Sequence, residues 1–97
     1  MNEEIFKSAV NQIENLKSAL DKAKNQIIKT LPELPEKERA VVNNGLGKVE
    51  KLMKEVKFPS FDTIGNDSDF INVNNKIINK LGEVSKEFEK LRETCLL

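Results

Sequence analysis

Few side chains in this sequence could do chemistry, and this limits the functions that the chain can perform. The chain has no His and one Cys, Cys95. Without an imidazole, acid–base catalysis near neutral pH would need a carboxyl, an amine or a thiol with a strongly shifted pKa. A single Cys without His also cannot build an ordinary zinc site. The sequence therefore predicts a protein that is not an enzyme and that has no metal site and no cofactor.

The most conspicuous candidate site is the segment that ends at Phe70, where large apolar side chains stand among polar ones and carboxylates. The apolar residues are Phe58, Phe61, Ile64 and Phe70, and the carboxylates are Asp62, Asp67 and Asp69. Aromatic anchors beside an acidic rim are typical of surfaces that bind another protein. Such residues more commonly fold back and close the end of a domain, because exposed aromatic rings are costly in a monomer. The predicted partner-binding residues are Phe58, Phe61, Asp62, Ile64 and Phe70, with end closure as the alternative.

Lysines next to this segment form a second, weaker candidate site. Lys54 and Lys57 precede Phe58 and are less diluted by acidic neighbours than the other lysines. They are the place where we would expect a nucleotide or another anionic ligand. Elsewhere Lys alternates with Glu and Asp, which is typical of a solvated face.

The elements that position these residues are predicted by apolar stripes with alternating steps of three and four residues. The first stripe comprises Phe6, Ala9, Ile13, Leu16, Leu20, Ala23 and Ile27, and the last comprises Ile77, Leu81, Val84, Phe88, Leu91 and Cys95. A shorter stripe comprises Val42, Leu46, Val49, Met53 and Val56. This spacing is typical of helices that pack against one another. We therefore predict an all-α, coiled-coil-like bundle of three antiparallel helices in a single small domain, 1–97.

Prolines and capping residues set the predicted helix bounds at about 2–31, 35–57 and 69–94, with an ordered loop over 58–68. Pro32 and Pro35 end the first helix, and Pro35 with the acids after it starts the second. Within the second helix, Asn43 to Gly47 contains two glycines, each of which costs about 1 kcal/mol relative to Ala. Close packing or a kink is one explanation, and a true break is the other.

Two residues of the third helix have alternative interpretations. Asn74 falls where the stripe would place an apolar group. A buried Asn there could fix helix register and oligomeric state. Alternatively, Val73 or Ile78 turns inward and Asn74 is solvated. Cys95 ends the stripe, which predicts a small buried side chain rather than a reactive thiol.

Amino-acid composition indicates which classes of partner and which cellular compartment to expect. Lys and Arg number 16, as do Asp and Glu, so the net charge is zero and nucleic-acid binding is not expected. No apolar run is long enough to span a bilayer, so no membrane partner is expected. The unpaired Cys favours a reducing compartment and predicts a cytoplasmic protein. The excess of Lys over Arg suggests an AT-rich genome.

The function predicted from these features is a non-catalytic protein-interaction module, such as an adaptor, a scaffold subunit or a small inhibitor. It would act through helical packing and the aromatic loop, on a protein partner of unknown identity. The long stripes also predict a homo-oligomer, with a dimer favoured. The alternative is a small-ligand binder that holds an anionic metabolite or nucleotide between helices or subunits.

Overall fold

The computed structural model describes residues 2–96, which form three helices: α1 (Glu3–Thr30), α2 (Glu36–Lys54) and α3 (Asp67–Cys95). Two 3₁₀ turns, Leu31–Glu33 and Phe61–Thr63, lie in the connections. Residues 2–96 contain no strand, and the chain measures 51 × 17 × 17 Å along its principal axes. The predicted all-α bundle of three helices is confirmed. Met1 and Leu97, the two ends of the predicted domain, lie outside the described residues.

Local side-chain chemistry explains where the two long helices begin and end. The Asn2 side chain accepts a hydrogen bond of 2.8 Å from the Glu4 backbone, and the Asn66 side chain accepts one of 2.8 Å from Asp69. These bonds satisfy backbone donors that a first turn otherwise leaves unpaired. Leu96 adopts the left-handed conformation, with φ of 60°, and ends α3. Because Asn66 caps the first turn, α3 begins at Asp67, two residues before its predicted start.

The second helix is shorter than predicted, and the connection after it is extended. Lys54 lies in the same groove as Lys17, so α2 stops about 16 Å short of the level of Phe6 on α1. Phe61, which contacts Phe6, is the seventh residue after Lys54. Residues 55–61 would cover only about 10 Å as a helix, whereas the same residues in an extended segment cover about 23 Å. After Lys54 the connection brings Phe58 and Phe61 to the Phe6 ring at the end of the bundle. Val56, predicted to lie in α2, is fully buried in this connection.

The core is divided between two groups of buried side chains, both of which include residues of α1 and α3. One group joins all three helices and comprises Ile27, Val42, Leu46, Val49, Val84, Phe88, Leu91 and Cys95. The other lies nearer the first turn of α1 and comprises Ile13, Val56, Ile77 and Leu81. All six residues of the predicted stripe in α3 are buried. Leu16 is the exception in α1, since it was predicted in the stripe but leaves 51% of its surface exposed.

The glycines of α2 do not break the helix, which is continuous through Asn43 to Gly47. Gly45 is buried and faces Leu91 of α3 so closely that an added Cβ would overlap the Leu91 side chain. Gly47 is exposed, and an added Cβ there would meet nothing within 4 Å. Close helix packing therefore explains Gly45, the first of the two alternatives. Nothing in the structure explains Gly47.

Candidate functional site

The aromatic residues of the predicted site surround a single ring at the start of α1. The Phe6 ring lies 5.6 Å from that of Phe58, 5.5 Å from Phe61 and 6.3 Å from Phe70, each at a steep angle. The rings of Phe58 and Phe70 stack, 6.0 Å apart at 14°. Edge-to-face and stacked pairs are the favourable aromatic geometries. The connection thus folds back onto the bundle and closes its end, which is the alternative recognised from the sequence.

The other predicted partner-binding residues of this segment point in different directions. Ile64 is 7% exposed and belongs to the interior, whereas Asp62 is exposed in the turn Phe61–Thr63. Asp67 and Asp69 lie in the first turn of α3, where acids are stabilised by the helix dipole. Phe58, Phe61 and Phe70 remain half-buried. Partner contact through these rings and Asp62 stays a prediction.

The two predicted anion-binding lysines are separated by the structure. Lys54 lines a groove of about 420 Å³ between α1 and α2, together with Lys17 and Lys24. Asp21 and Glu50 line the same groove, and the Lys24 ammonium lies 3.3 Å from the Glu50 carboxylate. The carboxylates offset part of the positive charge that would attract an anion. Lys57 is exposed in the connection and does not line this groove.

A surface that the sequence analysis did not identify lies between α1 and α3, at the levels where α2 is missing. We call it the α1–α3 face. It is a groove of about 360 Å³ lined by Ile5, Ser8, Ala9, Gln12, Ile13, Leu16, Phe70, Asn74 and Ile78. None of these side chains is charged, in a chain of which 33% of residues are charged. At the start of the helices a second groove adjoins this one and is lined by Asn2, Ile5, Asp67, Phe70 and Ile71.

Large apolar side chains project from this face into water. Ile5 is 58% exposed and Leu16 is 51% exposed on α1, and Ile71 is 55% exposed and Ile78 is 51% exposed on α3. By contrast, an ion pair joins α1 to α2 (Lys24–Glu50), and a second, Lys80–Glu55, joins α3 to the end of α2 at 2.8 Å. Both of these pairs lie outside the groove between α1 and α3. It therefore has the character of an interface rather than of a solvated surface.

The sequence does contain a signal for this face. On α1 the residues Ile5, Ala9, Gln12 and Leu16 have the same alternating spacing as the core stripe, and they overlap it at Ala9 and Leu16. On α3 the residues Ile71, Asn74 and Ile78 also have this spacing. A helix with two adjacent stripes can contact two different neighbours. Within the chain, Ile5, Gln12 and Leu16 stay exposed on α1, as do Ile71 and Ile78 on α3.

Among residues 2–96, two ionisable side chains have perturbed pKa values, and neither lies in the α1–α3 face. Burial raises the pKa of the Cys95 thiol, which is 6% exposed at the end of α3. The hydrogen bond and the charge of Glu55 raise the pKa of the Lys80 ammonium. A buried thiol with a raised pKa is a poor nucleophile at neutral pH. Residues 2–96 contain no cluster of His, Cys, Asp and Glu that could hold a metal ion.

Comparisons of the chain with protein-family models, with curated proteins and with solved structures found no match. Within residues 2–96, none of the helices has the length and apolar character needed to cross a bilayer.

Proposed function

We propose that this chain is a non-catalytic protein-interaction module that binds a helical partner through the α1–α3 face. The observation that carries the proposal is the exposure of Ile5, Leu16 and Ile78 in one groove without charged side chains, with Ile71 exposed in the adjoining groove. Depletion of charge at the centre is the compositional mark of interface cores. Because the second stripes of α1 and α3 have helical spacing, the shape that complements them is another helix.

The aromatic segment borders this surface. Phe70 lines the groove between α1 and α3 and also contacts Phe6 and Phe58 in the aromatic cluster. A partner seated in the groove would therefore reach the half-buried rings predicted from the sequence. Asp62 lies outside the groove and would act only at the edge of such a contact.

A photo-crosslinking experiment in extracts of the cells that make the protein tests this proposal. A benzophenone amino acid replaces Leu16 or Ile78 in the α1–α3 face, or Val41 as the matched control. Val41 is 57% exposed but lies on α2, away from the face. We expect protein adducts at Leu16 and Ile78 and none at Val41. Equal labelling at all three positions, or adducts at none of them, would refute the proposal.

A second candidate function is the binding of an anionic small molecule between α1 and α2. It is supported by the meeting of Lys17, Lys24 and Lys54 in one groove. Under this alternative, inorganic triphosphate should raise the melting temperature in a saturable way, because a ligand of the native state stabilises it. Lys54→Ala should abolish the rise, and Lys57→Ala, outside the groove, should leave it unchanged. A melting temperature that triphosphate leaves unchanged would exclude a polyphosphate ligand.

A further inference from the structure

The α1–α3 face has an internal symmetry that depends on how the two helices are aligned. Phe6 contacts Phe70, and Ile13 shares a buried group with Ile77. In both pairs the residue numbers differ by 64, which aligns a residue of α1 approximately with the residue of α3 that is 64 positions later. The two helices run in parallel, and this offset gives a common scale for positions along the face.

On that scale, the exposed apolar side chains are arranged symmetrically about one point. The midpoint between Ile5 and Leu16 falls between residues 10 and 11 of α1. The midpoint between Ile71 and Ile78 falls between residues 74 and 75 of α3. These two midpoints are also 64 positions apart, so they lie at the same level. A two-fold axis through this level, perpendicular to the helices and lying in the face, exchanges the two members of each pair.

We propose that the occupant of the α1–α3 face is a second, antiparallel copy of this chain, related by that two-fold axis. The inference rests on the proposed function and names its partner. Ile5 lies opposite Leu16 of the second copy, and Ile71 lies opposite its Ile78. A two-fold interface uses the same surface on both copies and must be self-complementary. The symmetric placement of all four exposed apolar residues meets that requirement.

Near the axis the face carries small and amide side chains. On α1, Ala9 lies opposite Gln12 of the second copy, and small residues at Ser8 and Ala9 let the two α1 helices approach closely. On α3, Asn74 lies opposite the second copy's Asn75, where the two amides can exchange hydrogen bonds. Asn74 is half-buried already in one copy. When an Asn at a helix–helix interface finds its hydrogen-bond partner in only one axial alignment of the two helices, it favours that alignment.

A two-fold axis that runs along the helices would instead give a parallel dimer. The two possible dimers differ in which helices face each other and in the relative directions of those helices. A parallel dimer would place α1 opposite α3 of the second copy and align all four helix dipoles. The antiparallel dimer places each helix opposite its own counterpart with opposed dipoles, which is the favourable combination. It also pairs the apolar residues level with one another, whereas the parallel dimer offsets each pair by two residues, or about 3 Å.

The size of the overlap predicts a weak dimer. The stretch from Ile5 to Leu16 is about 16 Å long, and two adjacent helices are about 20 Å wide. With the side chains at each end, the interface covers on the order of 400–500 Å² per copy. The total of roughly 800–1,000 Å² is at the lower limit of specific interfaces. We therefore expect a dissociation constant in the micromolar range.

Sedimentation equilibrium of the whole chain tests the dimer, and disulfide trapping tests its geometry. We expect a mass that rises from 11.0 kDa towards twice that value with concentration. Leu16→Glu should raise the dimer Kd at least tenfold, because it places a carboxylate opposite Ile5. Val41→Glu, the matched control on α2, should leave the Kd unchanged. Circular dichroism melts of both variants check that the monomer fold is retained.

Engineered cysteines distinguish the two symmetry axes. In the antiparallel dimer, Gln12 and its counterpart are offset by three residues, or about 4.5 Å along the helices, so Gln12→Cys should form an intermolecular disulfide on oxidation. Leu16→Cys alone should not, because the two copies of that position are about 16 Å apart. Combining Leu16→Cys with Ile5→Cys should restore the disulfide. The unmodified chain, whose Cys95 is buried at the far end, is the control.

The outcomes separate this inference from the proposed function. A monomer at all concentrations, with a different protein crosslinked at Leu16 and Ile78, would overturn the second copy and leave the interaction module standing. A monomer with no adduct at either position would overturn both. A dimer that Leu16→Glu does not weaken, or that Gln12→Cys does not trap, would overturn the proposed antiparallel arrangement.

Discussion

Gly45 and Gly47 offer a stringent test of the packing between α2 and α3, because they lie in one helix and differ in their surroundings. A methyl group at either position improves helix propensity by about 1 kcal/mol. At Gly47 it would meet nothing within 4 Å. At Gly45 it would overlap Leu91 Cδ2 and approach Leu91 Cγ to 3.2 Å. Leu91 is 2% exposed in the core, so it has little space to move away.

The helix-propensity gain is common to both variants and cancels when they are compared. The remaining difference is the cost of overpacking at Leu91, which is typically about 1–3 kcal/mol. We therefore expect Gly47→Ala to stabilise the chain by about 0.5–1 kcal/mol. Gly45→Ala should destabilise the chain by between zero and about 2 kcal/mol, which is the overpacking cost less the helix-propensity gain. A change of 1 kcal/mol corresponds to a shift of about 4–8 °C in the melting temperature of a domain of this size.

Urea denaturation of the two variants, monitored by circular dichroism, measures this difference directly. A double-mutant cycle with Leu91→Ala identifies its source. Leu91→Ala alone should cost about 2–5 kcal/mol, and part of that cost should be recovered when Gly45→Ala is added, because the new methyl group enters the vacated space. Equal stabilisation by Gly45→Ala and Gly47→Ala would refute the reasoning, since it would mean that α2 and α3 are not in close contact at Gly45.

Four further predictions follow from individual contacts. Asn66→Ala should lower the free energy of unfolding by about 1 kcal/mol in urea titrations, because the Asp69 backbone loses its capping acceptor. Phe6→Ala should cost about 3–5 kcal/mol and increase amide exchange throughout the connection 55–66, since three rings pack on Phe6. Cys95 should react slowly with Ellman's reagent at pH 8 in the folded chain and quickly in guanidinium, because burial raises its thiol pKa. Because pairing with Glu55 raises the pKa of Lys80, the pair stabilises the fold fully below the unfolded-state pKa of Lys80. This stabilisation is lost as the pH rises through the folded-state pKa. Glu55→Gln should lower the Lys80 pKa measured by NMR.

The sequence predicts the helices well because their burial is periodic. All six stripe residues of α3 are buried, as are Phe6, Ile13 and Ile27 of α1. Val56 shows where periodicity is insufficient: it continues the stripe of α2 in sequence, yet it is buried in an extended segment. Its conformation depends on how far the connection must travel, and that distance is set by the alignment of three helices rather than by local sequence.

The candidate site was harder to predict for a related reason. The aromatic residues of the connection were identified from their types, but whether they face inward depends on Phe6, which is more than fifty residues away in sequence. The alternating spacing places Leu16 in the core stripe, and it therefore does not predict the α1–α3 face. Deciding which of two adjacent stripes is covered requires knowing on which side of α1 the second helix packs.

The short second helix connects the aromatic cluster with the proposed dimer. Because α2 ends beside Lys17, the first halves of α1 and α3 have only an extended segment as their third neighbour within the chain. The connection covers one side of this pair with Val56, Ile64 and its aromatic rings. The other side is the α1–α3 face, where exposed apolar residues occur between the levels of Ile5 and Leu16. A second copy docked there would supply two helices to the part of the bundle that has the fewest. The unequal helix lengths thus provide a physical reason for the apolar face to lie at these levels and not further along the bundle.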